Sequence, residues 1–222
     1  MQQTQQATPS DIRILNAAGT KRWDQLGAAA GAVYVVLSLI GNSIVSGVTF
    51  DVDPTMFRVG AGLEWLGFAF LATFIAYLYT DLSRHDDSWL PTAALIGGIA
   101  TIALKLSTSA AWLVSATVRV GELSAEMDQT LDDIGGVGFK MTFFTFGLLL
   151  VAASASLLRS RLTARWIGWA GLLLGTANMA TVNLDFDSEI SVLPFLLSLL
   201  WLIVLSIALV VQQGRNATRS TR

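Results

Sequence analysis

Residues 190–211 read ISVLPFLLSLLWLIVLSIALVV and contain no charged side chain. A helix needs roughly 20 apolar residues to cross a hydrocarbon core about 30 Å thick, so a run of this kind predicts a membrane span. Five further runs of similar character precede it. The sequence therefore predicts an all-α, polytopic membrane protein, a bundle of six transmembrane helices. The other five runs lie at about 26–50, 56–80, 90–118, 137–158 and 166–184.

The composition agrees with a chain that is solvated by lipid. Hydrophobic residues make up 53% of the 222 residues, charged residues only 14%, and the mean hydropathy is +0.59. A soluble domain carries about 25% charged residues. The chain has no cysteine and a single histidine, His85, which excludes disulfides, iron–sulfur clusters, cysteine-based zinc sites and haem held by paired histidines. We expect no cofactor and no nucleic-acid partner.

Positive charge is distributed unequally between the predicted connections. Cytoplasmic loops of membrane proteins carry an excess of Lys and Arg, so the side with ten such residues is predicted to be cytoplasmic. Both termini lie on that side of this multi-pass protein of the cell membrane. Residues 1–23 then form a polar cytoplasmic segment, residues 24–212 the transmembrane domain and residues 213–222 a basic cytoplasmic tail. The ten are Arg13, Lys21, Arg22, Arg84, Arg159, Arg161, Arg165, Arg215, Arg219 and Arg222, against three outside, Arg58, Arg119 and Lys140.

Turn-forming residues separate the predicted spans at 53–54, 86–88 and 135–136. The longest outer connection, residues 119–136, is acidic, and the fourth span is predicted to begin after its final pair of glycines. Apolar residues recur every four positions within this connection, which allows a short helix on the membrane surface. A solvated loop is the simpler interpretation.

Two charged residues lie inside predicted spans. Glu64 falls in the outer half of the second span and Lys105 near the middle of the third. Each such charge costs about 2.5–3.5 kcal/mol to insert, so the two are expected to face protein or water and to form an ion pair. A separation below about 4 Å in a closed core predicts a structural staple. A longer separation across a cavity that opens outward predicts a ligand or a transported ion.

Weaker polar residues occupy the outer halves of the first, third, fourth and fifth spans. Asn42 and Ser46 share one face of the first span, and Asn178 and Thr181 share one face of the fifth. The inner halves are mostly apolar. This pattern predicts an outward-facing polar pocket. Its predicted ligand-binding residues are Glu64, Lys105, Asn42, Asn178, Thr108, Trp112 and Thr181.

Small residues and an apolar helix predict how the bundle packs. Gly171 and Gly175 form a Gly-x-x-x-Gly motif, which is typical of closely packed membrane helices. Gly27 and Gly31 mark a similar approach in the first span. The sixth span is apolar all round apart from its serines, and we expect it to be peripheral and to face lipid.

Two acidic pairs suggest a metal site at the outer surface. Residues 39–53 align with residues 173–187, with five of fifteen positions identical, and both segments end in Asp-x-Asp. Carboxylate oxygens are the ligands that divalent cations such as Mg²⁺ and Ca²⁺ prefer. The candidate ligands are Asp51, Asp53, Asp185 and Asp187.

The junction between the fourth and fifth spans carries a resemblance to a family. Residues 157–171 read LLRSRLTARWIGWAG, and the first span enters with Gly27 to Gly31 followed by Val33-Tyr34. Together these resemble a group of bacterial six-helix membrane proteins that is known as a domain of unknown function. Ala164 stands where that group usually has a proline. The resemblance implies the six-helix topology of a bacterial inner-membrane protein and transfers no activity.

Three functions remain open at this point. The first is a binding or transport protein that takes a small molecule or cation from the outer side. The second is a non-catalytic accessory or structural subunit, in which Glu64 and Lys105 form a staple or a docking point for a protein partner or a second copy. The third is an enzyme that modifies lipid at the outer leaflet with a carboxylate-bound divalent cation. All three place the protein among membrane lipids.

Overall fold

The computed structural model describes residues 9–47, 53–117, 124–183 and 192–219. Within these ranges, α-helices are the only regular elements, so the predicted all-α fold is confirmed for the described part of the chain. The helices are α1 (Pro9–Gly47), α2 (Pro54–Ser83), α3 (Leu90–Thr117), α4 (Ala125–Ser160), α5 (Arg165–Thr181) and α6 (Leu193–Arg219).

Five of the described helices are long and apolar enough to cross a membrane, namely α1 to α4 and α6. Helix α5, with 17 residues, is shorter than the others. Many large apolar side chains point away from the bundle, among them Leu173, Leu200 and Ile207. Soluble monomers rarely expose extended apolar surface of this kind. The described helices therefore fit a membrane protein that is surrounded by lipid.

The helices pack as a closed ring in chain order. Each helix contacts the next one along the chain, and α6 returns to pack against α1. The contacts are most extensive between α3 and α4 and between α1 and α2. These four helices therefore form two close pairs, α1–α2 and α3–α4. The pairs meet where α2 contacts α3 and α4, and they leave room between them at one end of the bundle.

Glycines let neighbouring helices approach closely. A Cβ atom built on Gly41 of α1 would lie only 2.7 Å from the carbonyl oxygen of Gly60 in α2. A Cβ atom built on Gly147 of α4 would lie 2.6 Å from the carbonyl oxygen of Gly175 in α5. Both contacts are between backbones, so no side chain fits there. The close packing predicted at Gly175 is confirmed.

Helix α6 is part of the core, and the prediction that it faces lipid all round is wrong. Trp201 and Leu205 are buried, and the Trp201 indole donates a hydrogen bond to the carbonyl oxygen of Ile167 at 2.8 Å. Gly171 of α5 lies against the Trp201 ring, and Gly31 of α1 lies against other residues of α6 and α2. Apolar side chains suit lipid and protein interior equally, so the sequence gives little contrast between the two faces.

Helix α4 begins earlier than predicted. It starts at Ala125, so residues 125–136 are helical and the predicted solvated loop over this part is wrong. The side-chain oxygen of Ser124 accepts a hydrogen bond from the backbone N–H of Met127 at 3.2 Å and caps the helix. The acidic residues that follow suit a helix N-terminus, whose dipole favours negative charge. The predicted glycine turn lies inside this helix.

The connection between α2 and α3 is fixed to α4 by a buried carboxylate. The Oδ1 atom of Asp86 lies 3.4 Å from Nε of Arg159 and accepts a hydrogen bond from the backbone N–H of Ser88 at 3.1 Å. Burial alone would raise the pKa of Asp86. Interactions with Ser156, with Ser88 and with the Arg159 guanidinium outweigh burial and hold the pKa below its ordinary value. The turn predicted at residues 86–88 is confirmed.

Candidate functional site

The structure brings Glu64 of α2 and Lys105 of α3 together. The Lys105 ammonium lies 3.7 Å from Oε1 of Glu64, and each side chain is 17% exposed. The two helices are antiparallel neighbours, so the first half of α2 lies beside the second half of α3. The expected ion pair therefore forms across the α2–α3 contact. Its separation exceeds the 2.7–2.9 Å or so of a direct charge-assisted hydrogen bond.

Phe139 of α4 completes the surroundings of the lysine. The Lys105 ammonium lies over the Phe139 ring, 4.5 Å from its centroid, which is within the range of a cation–π interaction. Phe139 packs in turn against Phe143 and Phe195, with ring centroids 4.8 and 6.4 Å away. Phe139 was not among the residues predicted for the site, because it lies just after the stretch that was predicted to be a loop.

A cavity of about 480 Å³ lies between the α1–α2 pair and the α3–α4 pair and borders the ion pair. We call it the large cavity. It lies at the end of the bundle where α1 and α3 end and where α2 and α4 begin. Asn42, Ser46 and Asp132 on its wall are exposed, so the cavity opens at that end. Its lining consists of Asn42, Val45, Ser46, Glu64, Lys105, Thr108, Ser109, Leu131, Asp132, Gly135, Gly136 and Phe139.

Four predicted ligand-binding residues line the large cavity, namely Asn42, Glu64, Lys105 and Thr108. The Thr108 hydroxyl donates a hydrogen bond to the Lys105 carbonyl oxygen of its own helix at 3.0 Å. Four lining residues that were not predicted come from the first turns of α4, namely Leu131, Asp132, Gly135 and Gly136. The signal for them was the apolar spacing of four in residues 119–136, which indicates a helix.

A second and smaller cavity lies on the other side of the ion pair. This small chamber has a volume of about 140 Å³. It shares Asn42, Glu64, Lys105 and Phe139 with the large cavity, so these side chains form the wall between the two. Its remaining lining is Tyr34, Ser38, Leu39, Phe68, Val192, Phe195, Leu196 and Leu199.

Asn178 and Thr181 lie elsewhere, in the contact between α5 and α6. The Asn178 amide nitrogen donates hydrogen bonds to Ser198 Oγ at 2.8 Å and to the Pro194 carbonyl oxygen at 3.2 Å. The Thr181 hydroxyl donates to the Asn178 carbonyl oxygen at 2.7 Å. Neither residue lines the large cavity or the small chamber. The Asn178 amide connects α5 to α6, as polar side chains in membrane helices often do, whereas the Thr181 hydroxyl bonds within α5.

The remaining predicted site residues are Trp112 and the four aspartates. The side chain of Trp112 and the residues Asp51, Asp185 and Asp187 lie outside the described part of the chain. The Asp53 carboxylate caps α2, since its Oδ1 accepts the backbone N–H groups of Thr55 and Met56 at 3.1 and 3.0 Å. Among the described residues, no three acidic or histidine side chains are grouped closely enough to hold a metal ion.

The ion pair shows features of both predicted outcomes, a structural staple and a ligand site beside a cavity. Its length of 3.7 Å fits a structural staple, whereas the cavities on either side do not fit a closed core. No protein-family model, curated protein or solved structure matches this chain. The family resemblance at the junction of α4 and α5 stays a prediction.

Proposed function

We propose that the chain crosses a cell membrane six times, with both termini in the cytoplasm. Five apolar helices support the proposal. The sixth span is α5, whose 17 residues rise about 25 Å at roughly 1.5 Å per residue, close to the thickness of a bilayer core. Its tight backbone contact with α4 keeps it inside the helix ring. The excess of Lys and Arg on one side supports the orientation.

We infer that the protein binds or transports a small molecule or ion from the outer side. The observation that carries this function is the large cavity, which opens at the predicted outer end and has an ion pair at its base. Its volume of about 480 Å³ lies within the 300–1,000 Å³ or so that is common for ligand pockets. The opposite half of the bundle is closed by buried apolar side chains, including Leu71, Phe74 and Leu150.

A non-catalytic accessory or structural subunit is the second candidate. The observation in its favour is the 3.7 Å separation between Lys105 and Glu64, which is short enough for a staple. A lipid-modifying enzyme has no comparable support. Of its four candidate aspartates, Asp53 is used as a helix cap, and the other three lie outside the described part of the chain.

A ligand screen with a blocked cavity tests the proposed function. Thermal unfolding of the purified protein in detergent is followed in the presence of a panel of small cations, anions and zwitterions. Ser109→Phe fills the large cavity, and Thr73→Phe adds the same bulk to an exposed position of α2. We expect at least one compound to raise the unfolding temperature of the wild type and of Thr73→Phe, but not of Ser109→Phe. A panel that stabilises none of the three proteins contradicts the proposal.

A further inference from the structure

The Lys105 ammonium occupies a cation site that the protein itself provides. One side of this site is the Glu64 carboxylate at 3.7 Å, and the other is the face of the Phe139 ring at 4.5 Å. Carboxylates and aromatic faces both attract ammonium groups. The Glu64 contact is longer than a direct hydrogen bond, so the lysine is held loosely. A tethered cation in such a site competes with any free cation that enters the large cavity.

The charges on the cavity wall favour a positively charged ligand. The charged side chains of the lining are Glu64, Asp132 and Lys105, so two carboxylates face one ammonium. Lys105 is paired with Glu64, and Asp132 forms no ion pair with another described residue. A cavity lined by an excess of one charge concentrates ligands of the opposite charge. This balance is unfavourable for an anion.

The small chamber adds an apolar pocket beside the cation site. Phe68, Phe195 and Leu199 line it, and its volume is about 140 Å³. A dry apolar cavity of about 150 Å³ accepts a molecule of the size of benzene. The chamber therefore has room for a substituent as large as a phenyl ring, next to the Lys105 ammonium.

We infer that the site binds a small organic cation with an apolar substituent. The ammonium of the ligand takes the place of the Lys105 ammonium, beside Glu64 and over Phe139, and the apolar group enters the small chamber. The Lys105 side chain moves into the large cavity, where Asp132 offers a second carboxylate. The inference rests on the proposed function and assigns the chemical class of its ligand.

Three probes of similar shape and different charge test the ligand class. Benzylammonium, benzyl alcohol and benzoate are titrated against the wild type, Lys105→Met and Glu64→Gln by calorimetry in detergent. We expect benzylammonium to bind best to the wild type. In Lys105→Met, which lacks the competing ammonium, the affinity for benzylammonium rises about tenfold. In Glu64→Gln, which lacks the carboxylate charge, it falls about tenfold. Changes of this size are typical of single charged contacts. In Glu64→Gln/Lys105→Met, benzylammonium loses its advantage over benzyl alcohol.

A matched pair of substitutions tests the small chamber. Leu196 lines it, whereas Leu200, which lies one turn further along α6 and is similarly exposed, does not. We expect Leu196→Phe to weaken benzylammonium binding at least about fivefold and to leave methylammonium unchanged, because only the ring needs the chamber. Leu200→Phe changes the affinity for neither amine. Equal effects of both substitutions on both amines overturn the assignment of the chamber.

The outcomes separate this inference from the proposed function. Preferential binding of benzoate that is lost in Lys105→Met overturns the cation assignment, yet leaves an anion-binding pocket and so the proposed function. Failure of all three probes, while another compound still stabilises the wild type and not Ser109→Phe, also overturns only the ligand class. Failure of every compound in the panel overturns both.

Discussion

Lys105 lies on the wall between two cavities, and its free energy of interaction with Glu64 distinguishes the two main functions. Breaking a fully buried ion pair costs about 3–5 kcal/mol, whereas an exposed pair is worth about 1 kcal/mol or less. Each partner here is 17% exposed and their separation is 3.7 Å. The pair is therefore expected to stabilise the fold only weakly.

A double-mutant cycle measures that interaction. For Glu64→Gln, Lys105→Met and the double variant, we predict a coupling free energy of about 1 kcal/mol in unfolding, because solvent that enters the open large cavity would screen the charges. Chemical unfolding in detergent gives the free energy of unfolding of each of the three variants relative to the wild type. A coupling of about 3 kcal/mol or more means that the pair is a staple and favours the accessory subunit.

Asp86 gives the fold a dependence on pH. Its pKa is lower in the folded protein than the ordinary value of 3.8, so the ionised carboxylate stabilises the fold above that value. This stability is lost as the pH falls through 3.8 towards the lower folded pKa. We predict that Asp86→Asn costs about 1–3 kcal/mol near neutral pH, the range for hydrogen bonds to charged groups. The cost shrinks below about pH 4.

Unfolding of the wild type and Asp86→Asn from pH 7 down to pH 3 checks this dependence. Asp87→Asn serves as the control, since Asp87 is the exposed neighbour in the same turn. A difference between wild type and Asp86→Asn that stays constant across the whole range rules out the ionised carboxylate as its source.

Residue chemistry alone identified the charged pair but not all of its surroundings. A glutamate and a lysine inside apolar runs are costly, so the sequence predicted that they meet. Asn42 and Thr108 followed from helical spacing. Phe139 and Asp132 did not, because their place in the site depends on how far α4 extends. Asn178 was assigned to the pocket from its depth, but depth does not tell which neighbouring helix a side chain faces.

At the scale of the elements, the backbone contact between α4 and α5 holds the shortest helix in the ring. We predict that Gly147→Ala destabilises the protein by about 1–3 kcal/mol, the usual cost of overpacking, because its Cβ would lie 2.6 Å from a carbonyl oxygen. Gly62→Ala in α2 is the matched control, since nothing lies within 4 Å of a Cβ built there. Thermal unfolding compares the two, and equal stability of the two variants contradicts the packing account.

The existence of the six described helices was predictable from apolar length, whereas two of their features were not. Gly135 and Gly136 are typical of turns but lie within α4, where the Ser124 cap and acidic first turns stabilise a helix. Helix α6 appeared peripheral because apolar residues cover all its faces. Its inward face becomes evident only from tertiary contacts, such as the hydrogen bond from Trp201 to α5.

At the scale of the whole molecule, the interior of the six-helix ring is polar near one end and mainly apolar in the opposite half. The large cavity and the ion pair lie near the ends of α1 and α3, and the buried apolar core fills the opposite half. The sequence predicted this division, since polar residues gather in the same half of several spans. The ring order and the small chamber depend on which helices are neighbours, and no spacing within one helix encodes that.

The most direct test of the central claim is the accessibility of the large cavity from outside the cell. The chain has no cysteine, so single cysteines report without interference. Ser46→Cys and Ser109→Cys lie on the cavity wall, and Ser83→Cys lies exposed at the opposite end of α2. We predict that a membrane-impermeant maleimide added to intact cells labels the two cavity cysteines, and labels Ser83→Cys only after permeabilisation. Labelling of Ser83→Cys in intact cells, with no reaction at the cavity cysteines, would contradict an outward-opening site.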